Sequence, residues 1–458
     1  MNRKILLIAI AAMVSFGAVA QSKDGGISDK MLDEFRKSYT NSPEQRAIKN
    51  ALASTPISNL IINSENLAPI DKHFTHRVKT KGITNQKSSG RCWLFTGLNI
   101  LRAKMMNKHK LGKIEFSQNY LSFHDQLEKS NVFLQKIIDT RNLPIHDRKV
   151  QGLFGSPIGD GGNFKGVANL VMKYGIVPKE VMPETYQSEH TKTYRSVLTQ
   201  KLRMFGLELR AAKSRKEAMA LKEKQLTEVY RILTECMGVP PTEFEWTMYN
   251  RRGKAVSTKK YTPKSFYEEY IAEDLKGNYV VFTNNPIYEY GKRYQGKLGT
   301  HVYDGDKWEF VNLPMERIKE MAIASIKGNT AMYLSCGVGY FKKDASLDIN
   351  NYDYKSLFRT PLTMDKYDGV VSRAIRSNHA MTLIAVDLDK DGKPRKWMVE
   401  NSWGENNGWK GNLIMTDEWF DKYVFNVVIE RKFIPEDILK MLDQKPTKLP
   451  IKKYKSKH

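Results

Sequence analysis

Apolar residues recur at helical spacing just after a small-residue loop: Leu94, Phe95, Leu98, Leu101 and Met105 follow Ser88-Ser89-Gly90. That spacing predicts a buried helix whose first turn carries Cys92. The same period predicts an amphipathic helix over 27–39, a helix starting around Gln118, and helices over 165–174 and 316–326. In a stretch rich in Lys, Arg and Glu, Leu198, Leu202, Phe205, Leu226 and Leu233 keep that period, which predicts a helical hairpin over about 189–236. Later the pattern shortens. Runs at 280–282, 331–336, 382–386 and 397–399 read as strands. Asp389-Lys390-Asp391-Gly392-Lys393-Pro394 is turn chemistry that folds the last two runs into a hairpin. Helical segments followed by a sheet-rich portion predict an α+β fold.

The loop and helix around Cys92 carry candidate chemistry. A helix N-terminus favours a thiolate over a thiol. Gln86 lies upstream, where its amide can donate to an oxyanion. His379 stands before the first strand of the hairpin and Asn401 after the second. An antiparallel pair brings these two ends together, so that Asn401 fixes the imidazole and Trp403 shields their hydrogen bond. Cys, His and Asn form a working nucleophile–base–orienter set. A lone cysteine opening a helix is usually a small buried hydrophobe, and a lone histidine is usually structural. The conjunction of all three contexts points to catalysis. Gly161 and Gly162 precede a helix and are either an ordinary loop pair or a place where a missing side chain lets another backbone approach. Asp387, Asp389, Asp391 and Gly392 hint at a calcium loop, but Met398 occupies its twelfth position, which excludes it. The three scattered cysteines exclude a cysteine-based zinc site. No cofactor is implied.

The strings Gln86–Trp93, Asn378-His379-Ala380-Met381 and Val399–Gly404 resemble those of papain-like cysteine peptidases. More specifically, they resemble the bleomycin hydrolase / aminopeptidase C branch, which carries long insertions between Cys and His. Here that gap is about 290 residues, against ~130–150 in the ordinary papain pattern. Ser117-Gln118-Asn119-Tyr120-Leu121, Asp160-Gly161-Gly162, Val311-Asn312-Leu313-Pro314 and Met415-Thr416-Asp417-Glu418-Trp419 extend the resemblance from about residue 30 to about 450. It implies a papain-like fold with a helical half, a helical insertion and an antiparallel sheet or barrel half. It also implies peptide substrates, bound in part by Gly161, Gly162, Asn378 and Trp403. Family members form ring-shaped hexamers, which implies a homohexamer with an N-terminal arm between subunits. In them the C-terminal tail lies in the cleft, and its carboxylate, here that of His458, pairs with the substrate amino group. This chain keeps Leu449-Pro450 but ends in a segment with four lysines, where the family has a small neutral end. A tail in the cleft gives an aminopeptidase, and a tail outside it leaves an open cleft and an endopeptidase.

Arg3 and Lys4, an apolar stretch over 5–19 and Ala18-Val19-Ala20 form a cleavable export signal. Gln21 is then the mature start, and the protein is periplasmic or secreted. No later stretch is long and apolar enough to span a bilayer. The expected organisation is a signal peptide at 1–20, an arm at 21–80, the nucleophile-bearing half at 81–188, an insertion at 189–261, the sheet-rich half at 262–436 and a tail at 437–458. The net charge of +24 attracts polyanions, so a basic polyanion-binding protein on a peptidase scaffold is the alternative from another class.

Overall fold

The computed structural model describes residues 25–66, 70–112, 114–296, 301–339 and 346–449. The expected signal peptide and His458 lie outside the described residues. The chain forms two compact units. One joins the residues up to Ile62 to Asp353–Pro361, and the other holds Asn63–Tyr352 and everything from Leu362 on. The expected arm over 21–80 therefore divides: His76–Arg77 is a strand paired with His379–Leu388 of the larger unit.

In the smaller unit, Asp29–Ser38 and Pro43–Ser54 are helices. The second begins with a capping box, in which Ser42 and Gln45 each bond the other's backbone. Tyr354–Phe358 adds a helical turn from far along the sequence.

The helices of the larger unit start where local chemistry satisfies free backbone N–H groups. Ser117 accepts from Tyr120 N ahead of Gln118–Asp139, and Asn163 accepts from Gly166 N ahead of Phe164–Tyr174. The helix that opens with Cys92, Cys92–His109, is apolar on most sides and buries thirteen residues, which places it inside the unit rather than on its surface. Lys192–Ala211 and Arg215–Met237 form the helical hairpin of the insertion. A two-stranded ribbon, Phe244–Tyr249 with Ala255–Tyr261, follows it.

Eleven strands of the described residues form one mixed sheet. Its central strand, His379–Leu388, is buried at every position. Met332–Cys336 and Pro394–Glu400 pair antiparallel on its two sides. One apolar cluster gathers Trp93, Leu94 and Leu98 with the helices, and another gathers Leu383, Val386, Trp397 and Val399 with the sheet. The Cys92–His109 helix is fastened to the sheet by a buried ion pair, Arg102 to Glu400, at 2.5 Å. Glu400 directly precedes Asn401, so this pair fixes the helix relative to the turn that bears Asn401.

Candidate active site

Cys92 is the first residue of its helix, with Arg91 at the cap position. The side chain of Arg91 is buried. It donates to both carboxylate oxygens of Glu184, at 3.2 and 2.9 Å, and its Nε donates to Ser89 Oγ at 3.1 Å. This bidentate grip sets the loop from which the helix starts. The backbone N–H groups of Ala380, Trp93 and Cys92 itself favour the thiolate form of Cys92.

His379 opens the central strand, and Asn401 follows Pro394–Glu400. The hairpin brings them together: His379 Nε2 lies 2.8 Å from Asn401 Oδ1. Asn401 Oδ1 also accepts the Ser402 N–H at 2.8 Å, so the oxygen faces the ring and Nε2–H is the donor. The Trp403 ring stacks on the imidazole with centroids 4.6 Å apart and planes 27° apart. Among the described residues, the Asn401 bond engages Nε2 and leaves Nδ1 as the other ring nitrogen of His379.

Burial pushes the Cys92 thiol up, and Asp160 adds to this, while the three N–H groups oppose it. Burial pushes His379 down to about 4 against the help of Asn401. The helix terminus alone therefore does not produce the thiolate expected from the sequence. A single charge on either group is disfavoured here.

Gln86 is buried and held at both ends. Its Oε1 accepts from Ser402 Oγ at 2.7 Å, and its Nε2 donates to Ser89 O at 2.6 Å. Gln86 N bonds Ser402 O at 2.8 Å. One N–H of the side-chain amide stays unspent beside the Cys92 loop.

The two glycines differ. A methyl at Gly162 would overlap Trp93 and His301, so its bareness makes room for the protein's own rings. A methyl at Gly161 would meet nothing within 4 Å. Both line a cavity of about 490 Å³ with Lys129, Lys136, His301 and Trp308. Asn378 bonds the backbone of Val338. Its Oδ1 accepts from Val338 N at 2.8 Å and its Nδ2 donates to Val338 O at 3.0 Å, so it braces the entry to the central strand.

Sequence reasoning missed Ser402, Glu400, Arg91 and the buried His301–Asp125 pair, whose Nδ1 and Oδ1 lie 2.6 Å apart. Ser402 and Glu400 flank Asn401, and that adjacency is the signal that could have found them. His301 carries none. The calcium-like loop is a turn: Asp389 Oδ1 accepts from Asp391 N and Lys393 N, at 2.9 and 2.8 Å. All three cysteines are free.

The family model described as the Peptidase C1-like family matches residues 26–453. The chain belongs to that family. It is a cysteine peptidase, and its α+β architecture is the papain-like fold. Aminopeptidase C of Lactobacillus delbrueckii subsp. lactis is 35% identical over 426 residues, covering 91% of this chain and 94% of the relative. Bleomycin hydrolase of Homo sapiens is 38% identical over 393 residues, covering 82% and 86%. The crystal structure of PepW from Lactobacillus rhamnosis HN001 superposes with a TM-score of 0.89 at 34% identity, covering 93% and 98%.

Proposed function

We propose that this Peptidase C1-like protein is an exported aminopeptidase in which Cys92, His379 and Asn401 act as the catalytic set. The observation that carries the reading is the 2.8 Å bond from His379 Nε2 to Asn401 Oδ1, which leaves Nδ1 for the thiol. The thiol proton passes to Nδ1, and the sulfur attacks the substrate carbonyl carbon. The unspent N–H of Gln86 and the Cys92 backbone N–H receive the oxyanion. His379 returns the proton to the leaving amine, giving a thioester. It then takes a proton from water, which attacks the thioester carbonyl and frees the acid and the thiol.

Relatives named aminopeptidase C and aminopeptidase G support the exopeptidase reading. The tail is anchored up to Leu449, whose N–H bonds Gln295 O at 2.9 Å. A homohexamer and weak polyanion binding belong to the same reading, in which the chain from Gln21 keeps a net charge of +22 (24 less Arg3 and Lys4). Export rests on the leader over 1–20, and mass spectrometry of the mature protein should find Gln21 first.

The test of the mechanism is Cys92→Ala. It should abolish hydrolysis of a fluorogenic amino-acid amide, and comparable cleavage by the variant would sink the mechanism.

A further inference from the structure

Asp160 sits where three segments meet. Its Oδ2 accepts the N–H of Gly90, two residues before Cys92, at 2.9 Å. The same oxygen accepts the hydroxyl of Thr191 and pairs with Arg195 Nη1 at 2.9 Å. Its backbone carbonyl accepts Trp93 Nε1 at 2.6 Å. The carboxylate is buried, and Gly90 has no Cβ because Asp160 Cβ fills that place at 2.8 Å. Thr191 and Arg195 belong to the start of the insertion, and the same stretch reaches the loop a second time through a backbone bridge between Ser88 and His190.

We propose that Asp160 is a positioning residue for Cys92, through which Thr191 and Arg195 of the insertion hold the nucleophile loop and set the charge beside the thiol. The insertion is then part of the catalytic framework, not only an added layer. The inference rests on Cys92 being the nucleophile.

The electrostatic part has a sign. A carboxylate near a thiol disfavours the thiolate, and a guanidinium bound to that carboxylate offsets it. The other groups around the thiol are His379, Tyr333 and Cys336, and burial holds the last two protonated. Around Asp160 stand Tyr194, which burial keeps neutral, and Arg91, which is paired with Glu184. Behind Trp93, Asp125 is engaged by Lys129 and His301. Asp160 and Arg195 are thus the pair whose balance is open to change.

The experiment measures kcat, KM and the pH dependence of kcat/KM for full-length Asp160→Asn and Arg195→Met. Asp160→Asn should lower kcat by tenfold or more, on the order expected for a misplaced nucleophile, with little change in KM. Its acid limb should move down by roughly half a pH unit. Arg195→Met should move that limb up, and Arg195→Lys should restore it. A limb that stays put in both variants, or moves the same way in both, overturns the proposal even where kcat falls, because a purely structural clamp would give that result. If Asp160→Asn does not fold, the direction of the shift in Arg195→Met decides alone. Activity retained by Cys92→Ala would instead overturn the nucleophile assignment, so the two failures are distinguishable.

Discussion

Ser402 Oγ donates to Gln86 Oε1 at 2.7 Å and so ties the turn that carries Asn401 to the loop that precedes Cys92. Gln86 supplies the proposed oxyanion donor, and Ser402 fixes which way its amide points. Ser402→Ala should lower kcat by about tenfold with KM nearly unchanged, because a loosened donor still reaches the oxyanion part of the time. Gln86→Ala removes the donor and should cost on the order of 10²–10³ in kcat. Steady-state kinetics on both variants check this. Equal losses would mean that Ser402 does more than orient Gln86.

The adjacent glycines should respond in opposite ways. Gly162→Ala forces a methyl into Trp93 and His301, and overpacking of this kind costs about 1–3 kcal/mol. Gly161→Ala has open space and should unfold at the wild-type denaturant midpoint. Any loss of kcat/KM in Gly161→Ala then reports on the substrate side. Denaturant melts of the two variants test the contrast.

His124 gives a pH signature. Its ring stacks on Tyr174 with centroids 3.9 Å apart, and neither ring nitrogen has a hydrogen-bond partner among the described residues. Burial lowers its pKa to about 4. The unfolded chain takes up the proton near 6.5, and the folded chain resists it until about 4. The contribution is therefore fully present above pH 6.5 and is lost as pH falls toward 4, by at most about 3 kcal/mol. His124→Phe keeps the stacking and removes the titration. Its stability should fall less steeply than that of the wild type between pH 6.5 and 4, as read by denaturant melts across that range. Equal slopes would place the acid sensitivity elsewhere, with His379, also lowered to about 4, as the next group to test.

What is legible in the sequence follows the range of the interactions. Leu94, Leu98 and Leu101 announce a helix because periodicity is local, and Asp389–Pro394 announces a hairpin because turn residues are local. That hairpin is enough to place His379 by Asn401 from residue types alone. The bond between Gln86 and Ser402 spans 316 residues and leaves no periodic trace. The union of 353–361 with the N-terminal unit is equally non-local. The ribbon Phe244–Tyr249 with Ala255–Tyr261 is hidden because most of its positions face solvent or lie half-buried, which erases the alternation that marks a strand. At Gly162 a sequence shows that a side chain is missing, not that the Trp93 and His301 rings fill the space.

The most direct test of the account compares two matched fluorogenic peptides, one with a free N-terminus and one blocked, using the mature enzyme with a reductant. The account predicts that the wild type cleaves only the free peptide and that Cys92→Ala cleaves neither. Comparable cleavage of the blocked peptide by the wild type would contradict the aminopeptidase reading and show an endopeptidase with an open cleft.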